Sequence, residues 1–564
     1  MYLKDISVPR FLIGALFFLA GALLPSSALA EFLSAPPAGI TFQLMLGATI
    51  FRISLAILGI ALVIASLPIW AQRAPSVKPA ADPRHKWVLL LLASILIIAT
   101  ALRLYQLNSG LWLDEILTDV LFAKAPLRSI ITTYESENQH FLYSLMAHLS
   151  FKIFGESVWA LRLPAVLFGV GSIGALYLLG REVAGVREAL LSAALLTFSY
   201  THIWFSQNAR GYSGLLFWTI LASWLLLRAL REAQPRLWFA YAAAAALGAY
   251  THITMLFVII GHLLIYLWTF ARRREISSLN ALRGLFLGFV FSGLFTLLLY
   301  ALVLPQILGG AGREASVVAE WKNPLWTALE IVKGMQISFS SGFVSIGALA
   351  VFGVGLWNYA RTRPEIVMLF VIAPIVGAAV VIALGHHLWP RFFLFAMGFA
   401  VLIVMRGAMQ WAEWSMRVLR WPLSRSPWVG TALCAGLILV SAISVPFAYG
   451  PKQDYAGALE FVQTNILPGD TVVTAGLAAF PYNNFYGKDW QEVTRVDGLN
   501  SIRSSAKRTW LIYTFPTVLE STSPEIMTSI ARDFPVVKEF YGTVGDGTIF
   551  VCRSDTPPSG IVSH

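Results

Sequence analysis

Asp114 and Glu115 stand side by side in Leu111-Trp112-Leu113-Asp114-Glu115, directly beyond a hydrophobic stretch. Carboxylates at a membrane boundary are costly to keep in apolar surroundings, so the pair is a functional candidate. It suits either a general base or a holder of a cation. Residues able to work with it lie far along the chain. His140 and Tyr143 occur in Asn138-Gln139-His140-Phe141-Leu142-Tyr143, and Gln207, Arg210 and Tyr212 in Ser206-Gln207-Asn208-Ala209-Arg210-Gly211-Tyr212. His252 closes Tyr250-Thr251-His252, and Arg391 lies in His386-His387-Leu388-Trp389-Pro390-Arg391-Phe392. Arginine forks match phosphate oxygens bidentately and neutralise charge developing on a leaving phosphate. Tyrosine and tryptophan rings stack on sugar faces or anchor helices at an interface. Gathered on one surface, such residues suit an anionic lipid headgroup joined to a polyol.

The elements that must position them are membrane helices. Of 564 residues, 57% are hydrophobic and 13% charged, with mean hydropathy +0.69. That is more apolar surface than a soluble fold can hide. Spans of about 20 apolar residues each number about thirteen, from 10–30 to 428–447. The net charge of +11 resides in alternate connections, which the positive-inside rule makes cytoplasmic. These hold Arg73, Lys78, Arg84 and Lys86, then Arg181 and Arg187, then Arg228, Arg231 and Arg236. Arg272, Arg273 and Arg274, Arg361 and Arg363, and Arg417, Arg420 and Arg425 continue the series. The first large outer loop is then 106–139, and every candidate above faces outward. The run from His140 to Phe154 is short and polar for a crossing, and reads as an interfacial or re-entrant helix. From about Lys452 the composition changes. Helical periodicity near Asp454–Val462, then Pro468-Gly469-Asp470 and β-branched Thr471-Val472-Val473, predict a small outer α/β domain. The predicted organisation is an N-terminal two-helix membrane segment (1–86), a transmembrane unit (87–450) and an extracytoplasmic α/β domain (451–564). The N-terminus reads as an uncleaved anchor. Its Ser27-Ala28-Leu29-Ala30 also resembles a signal-peptide cleavage site.

Several chemistries find no support. The positive charge is accounted for by cytoplasmic loops, so nucleic acid is not an expected partner. Cys434 and Cys552 cannot build a multi-cysteine metal site or a disulfide framework. The chain has no Walker-type glycine loop. Its one GxGxxG match, Gly169-Val170-Gly171-Ser172-Ile173-Gly174, lies inside a span and fits close helix packing better. No metal ligand set is assigned. A divalent cation joining Glu115 or Glu137 with a histidine stays open.

Together these residues resemble a polyprenyl-phosphate-dependent glycosyltransferase of the GT-C fold, close to glycosyltransferase family 39 and the lipid A aminoarabinose transferases. The resemblance rests on the Asp114-Glu115 first-loop motif, His140-x-Leu142-Tyr143, Phe154-Gly155-Glu156-Ser157 and Leu161-Arg162-Leu163-Pro164. It continues through Ser206–Tyr212, Tyr250-Thr251-His252 and Pro390-Arg391-Phe392, covering roughly residues 87–475. It implies a hexosyl- or pentosyltransferase of the inner (plasma) membrane. The sugar passes with inversion from a polyprenyl-phosphate donor to an outward-facing lipid, glycan or protein acceptor. It further implies Asp114 as general base with Glu115 as a supporting acid. Arg210 and Arg391 then hold the lipid phosphate, and His140, Tyr143, Gln207, Tyr212 and His252 shape the pocket. The chain departs from the pattern at Phe141 and Leu142, where many relatives carry proline, and at Phe392, where many carry tyrosine. Each residue also has a plainer reading. The acids suit any helix N-terminus, the arginines can snorkel at the interface, Arg162 can be structural, and the histidines can be packing residues. A transporter or flippase of a lipid-linked sugar is the alternative function. It needs charge pairs or broken helices at the bilayer midplane, and Arg52 and Arg103 are the residues to watch.

Overall fold

A computed structural model describes residues 7–34, 39–70, 85–232, 234–272, 278–310, 318–339 and 342–555. Of the basic positions used to orient the chain, Arg73, Lys78, Arg84, Arg273 and Arg274 lie outside these residues. The protein is a polytopic helical membrane protein with a small C-terminal sheet. Among the described residues nine helices are long and apolar enough to cross a membrane, or ten if a bent pair counts as one span. That pair is Val8–Leu23 and Ser26–Leu33, which meet at 93°. Part of the difference from about thirteen arises where apolar runs break or stop short, and the expected span 336–358 includes residues 340 and 341, which lie outside the described ones. The stretch 189–206 is two helices, Val186–Thr197 and Tyr200–Ser206, and 237–251 lies in the 17-residue helix Pro235–Thr251. The His140–Phe154 stretch forms the helix Phe141–Phe154, with 14 residues too short to cross.

The break after Thr197 explains a buried charge. Arg103 is fully buried at the end of the helix His85–Leu104. Its Nη2 donates to the Leu196 carbonyl at 3.3 Å and meets His202 Nδ1 at 2.6 Å, while Nη1 donates to the Thr197 carbonyl at 3.3 Å. A guanidinium here satisfies the orphaned carbonyls of a helix C-terminus, where the dipole favours a cation. Arg52 likewise donates to Ser26 Oγ at 2.8 Å and to the Ala22 carbonyl at 3.2 Å, tying the bent N-terminal pair to the helix Phe42–Ala65. Both arginines that bore on the transporter reading therefore satisfy backbone or hydroxyl groups of neighbouring helices. In the glycine-rich run, a Cβ on Gly169 would overlap Ser206, and one on Gly171 would press on Phe217 at 3.1 Å. Close packing accounts for these two, whereas Gly174 faces open space.

The C-terminal residues form strands β1 (Asp470–Ala475), β2 (Gln491–Val493), β3 (Arg508–Thr514), β4 (Val536–Phe540) and β5 (Ile549–Ser554). The five-stranded sheet has the order β2-β1-β3-β5-β4. β1 runs parallel to β2 and β3, whereas β5 is antiparallel to β3 and β4. Central β3 is buried along nearly its whole length, as a continuous apolar strand flanked on both sides should be. This sheet is not a separate ball. Leu111, Ile116, Tyr143 and Leu161 share one apolar cluster with Tyr455, Val462, Trp510 and Ile512.

Candidate active site

Asp114 and Glu115 occupy the first turn of the short helix Leu113–Leu117, where acids complement the helix dipole. A wider π turn, Thr118–Ala123, follows it. The two carboxylates meet different fates. Glu115 is fully buried, and both of its oxygens are engaged by Arg162, with Nε to Oε1 at 2.7 Å and Nη2 to Oε2 at 2.6 Å. Oε1 also accepts from the Ala209 N–H at 2.7 Å. Burial pushes the Glu115 carboxyl up, but the charges of Arg162 and Lys452 and these hydrogen bonds leave it below its ordinary value. Arg162 Nη1 donates in addition to the carbonyls of Leu107 at 2.9 Å and Ser109 at 2.8 Å, and Nη2 to Gly110 at 3.0 Å. This is a clamp that shapes the first loop, in keeping with the structural reading of Arg162.

Asp114 has no such partner. Its Oδ2 is buried without a hydrogen bond and lies 3.4 Å from Arg391 Nη1 and 3.7 Å from Arg210 Nη2. Two cations therefore flank one carboxylate oxygen, each beyond good hydrogen-bonding reach. Arg210 is held from behind, where Nη1 donates to the Asn138 carbonyl at 3.0 Å. Arg391 packs over Trp389, with its carbon 4.9 Å from the ring centroid, and over Trp112 at 5.9 Å. The Nε atoms of both arginines are buried without a hydrogen-bond partner.

His140, Tyr212 and His252 form one aromatic group beside these charges. The His140 ring centroid lies 4.6 Å from that of His252 and 5.4 Å from that of Tyr212. His140 Nδ1 accepts from the Gly211 N–H at 2.7 Å, which places the proton of the neutral ring on Nε2. Nε2 then faces Arg210 Nη2 at 3.3 Å, donor beside donor. Burial, followed by the charges of Arg210 and Arg391, lowers the His252 pKa to about 3. Burial, Arg210, His252 and Arg391 hold His140 well below its usual value. Both rings are neutral at physiological pH. The Gly211 N–H can reach His140 only because residue 211 has no side chain: a Cβ there would overlap Nδ1 and come within 2.6 Å of the Thr251 carbonyl oxygen.

Not every expected site residue joins this group. The Tyr143 hydroxyl donates to the Leu161 carbonyl at 2.7 Å inside the apolar core. The Gln207 amide donates to the carbonyls of Arg103 at 3.0 Å and Tyr105 at 2.6 Å. Both therefore lock loops in place with their donors occupied. Two residues beside the acids escape sequence reasoning. Lys452 Nζ donates to the Gln207 carbonyl at 2.9 Å, and Gln453 Oε1 accepts from the Leu113 N–H at 3.0 Å. Burial and the Arg162 charge lower the Lys452 pKa to about 7 against the opposing pull of Glu115. The only sequence signal for either is their place at the change of composition after Gly450-Pro451.

A divalent cation does not fit the residues present. Glu115 is committed to Arg162, Asp114 is flanked by guanidiniums, Glu137 meets one histidine, with Oε1 3.4 Å from His386 Nδ1, and no three His, Cys, Asp or Glu side chains converge as ligands among the described residues.

Residues 138–295 match the family model of dolichyl-phosphate-mannose-protein mannosyltransferases. No curated protein matches the chain in a sequence search. Among solved structures, ArnT from Cupriavidus metallidurans bound to undecaprenyl phosphate aligns at 13% identity and TM-score 0.45, covering 83% of this chain and 98% of that one. The archaeal oligosaccharyltransferase AglB from Archaeoglobus fulgidus, in complex with an inhibitory peptide and a dolichol-phosphate, aligns at 12% identity and TM-score 0.45, covering 85% and 75%. Arabinosyltransferase EmbB from Mycobacterium smegmatis aligns at 13% identity and TM-score 0.42, covering 77% and 47%. The chain resembles the GT-C polyprenyl-phosphate-dependent glycosyltransferases, and the matched stretch carries His140, Tyr143, Gln207, Arg210, Tyr212 and His252 while Asp114 and Arg391 lie outside it.

Proposed function

We propose that the protein is a membrane glycosyltransferase that moves one sugar, a hexose or pentose, from a polyprenyl-phosphate donor to an extracytoplasmic lipid, glycan or protein acceptor. Residues 87–450 act as the catalytic membrane unit of a multi-pass inner (plasma) membrane protein, with the site and residues 451–564 facing outward. One observation carries this reading: the buried Asp114 oxygen that accepts no hydrogen bond and lies between Arg391 and Arg210.

The chemistry follows from charge. A lipid phosphate entering this space draws both guanidiniums onto its oxygens, and the neutral His140 Nε2–H adds a donor beside Arg210. Asp114, released from its flanking cations, accepts the proton of the acceptor hydroxyl as that oxygen attacks the anomeric carbon. The carbon–oxygen bond to phosphate breaks with inversion, and its electron pair leaves on the polyprenyl phosphate, whose charge the two arginines offset. Tyr212 and His252 supply flat faces for the sugar. The activated donor carries its own leaving group, which suits a chain without a nucleotide loop.

Asp114→Asn retains the shape and removes the base. Mass analysis of envelope glycolipids and glycoproteins should show the transferred sugar missing in cells carrying this variant, with expression and membrane insertion intact. A fully active Asp114→Asn overturns the assignment.

A further inference from the structure

We propose that Gln453 is a positioning residue for transfer, through which the C-terminal α/β domain sets the place of the Asp114 helix; this rests on Asp114 acting as proposed above. The helix Leu113–Leu117 begins at Trp112, which contributes no side-chain cap. Its first N–H, on Leu113, is instead satisfied by Gln453 Oε1 at 3.0 Å, across 340 residues of sequence. The other end of the same amide is fixed within the sheet domain. Gln453 Nε2 donates to Thr514 Oγ1 and to the Gly547 carbonyl, both at 3.1 Å. Only 1% of Gln453 is exposed, so no water replaces these bonds.

The strap that carries Gln453 is itself pinned and reaches the arginine loop as well. The Thr543 N–H donates to the Pro451 carbonyl at 2.9 Å, and the Val544 N–H to the Lys452 carbonyl at 3.1 Å. From this strap Lys452 Nζ holds the Gln207 carbonyl at 2.9 Å, and Trp204 Nε1 donates to Thr543 Oγ1 at 2.8 Å. The loop bearing Asp114 and the loop bearing Arg210 are thus fastened to one piece of the α/β domain. A one-residue helix cap and two loop anchors define the separation between base and phosphate holder. Displacing a reacting group by about 1 Å can lower a rate about a hundredfold while leaving the remainder of the binding surface intact.

Full-length protein, in lipid nanodiscs for exchange and lipid binding and in cells for transfer, tests this with two variants. Gln453→Met keeps the volume and removes all three bonds, whereas Thr514→Val leaves the bond to Leu113 and removes one acceptor of Gln453 Nε2 together with the Thr514 hydroxyl's own bond to the Gly547 carbonyl at 3.3 Å. In Gln453→Met, amide exchange of residues 111–118 should rise about tenfold, and label transfer from the cell's own saturating polyprenyl-phosphate sugars to envelope acceptors should fall about tenfold. Affinity for undecaprenyl phosphate, measured as the probe, should stay within about twofold of wild type, and Thr514→Val should move exchange and transfer the same way by a smaller factor. Unchanged exchange at 111–118 overturns the role of Gln453. So does a loss of probe affinity as large as the loss of transfer, since that marks general collapse of the site. The exchange result stands apart from the reading of function, which fails separately if Asp114→Asn transfers normally.

Discussion

Glu115 has its oxygens taken up by Arg162 and the Ala209 N–H, whereas Asp114 beside it meets only two guanidiniums at 3.4 and 3.7 Å. That difference separates a structural acid from the proposed base, and it yields different mutational signatures. Glu115→Gln leaves the fully buried Arg162 without its counter-charge and should destabilise the protein by about 3–5 kcal/mol. The loss is read as a lower melting midpoint of the detergent-solubilised protein, and an unchanged midpoint refutes the clamp. Arg162→Met should cost more than Glu115→Gln, because the carbonyls of Leu107, Ser109 and Gly110 also lose their donor. Arg391→Lys tests the opposite kind of residue. It keeps the charge but loses the planar fork, so the melting midpoint should hold while transfer falls about 10–100-fold. A lysine variant with full transfer means that Arg391 serves as an interface anchor.

At the scale of elements, the site depends on places where backbones come unusually close. Gly211 lies against His140 and the Thr251 carbonyl, so Gly211→Ala must push apart the turn after Ser206, the start of the Phe141–Phe154 helix and the end of Pro235–Thr251. Transfer should drop by at least about tenfold, with undecaprenyl phosphate binding weakened as Arg210 shifts, and a binding assay with that lipid reports it. The sequence made part of this legible. Helix–sheet order, the strands at Thr471–Val473 and Trp510–Tyr513 and the gathering of His140, Arg210, Tyr212, His252 and Arg391 near Asp114 follow from hydropathy, β-branching and motif order. Tyr143 and Gln207 were expected in the pocket but spend their donors on the carbonyls of Leu161, Arg103 and Tyr105. Motif membership marks such residues as important without saying whether they face a ligand or a neighbouring loop. The break at Phe198-Ser199 was hidden for a related reason: hydropathy stays high across it, and the carbonyls it frees are satisfied by Arg103 about ninety residues earlier. Gln453 was invisible because a cap supplied from 340 residues away leaves no local pattern.

For the whole molecule, the C-terminal sheet and the membrane helices share an apolar cluster and the Lys452-Gln453 strap. The strap has a pH signature. In the unfolded chain Lys452 holds its proton up to about 10.5, but in the folded protein it gives it up near 7. The unfolded state therefore binds the extra proton between these values. Stability rises with pH across that window, by at most about 1.4 kcal/mol per pH unit, and the contribution is lost as pH falls to 7. Lys452→Met should flatten the rise in melting midpoint between pH 7 and pH 9, and an identical slope in wild type and variant counts against a buried lysine. Arg103 carries a consequence for how such a molecule is built. The groups that receive its guanidinium, on Leu196, Thr197 and His202, leave the ribosome more than ninety residues later, about 5–20 s at ordinary rates of synthesis. Until then the helix His85–Leu104 ends in a charge with no acceptors from those residues, so its final seat in the bilayer is settled by helices that follow it. Assembly of this membrane bundle is thus not strictly first-in, first-fixed: the helix His85–Leu104 can pack on Val158–Val183 once that helix is made, but in a chain cut short before Thr197 the Arg103 guanidinium lacks the Thr197 carbonyl and His202.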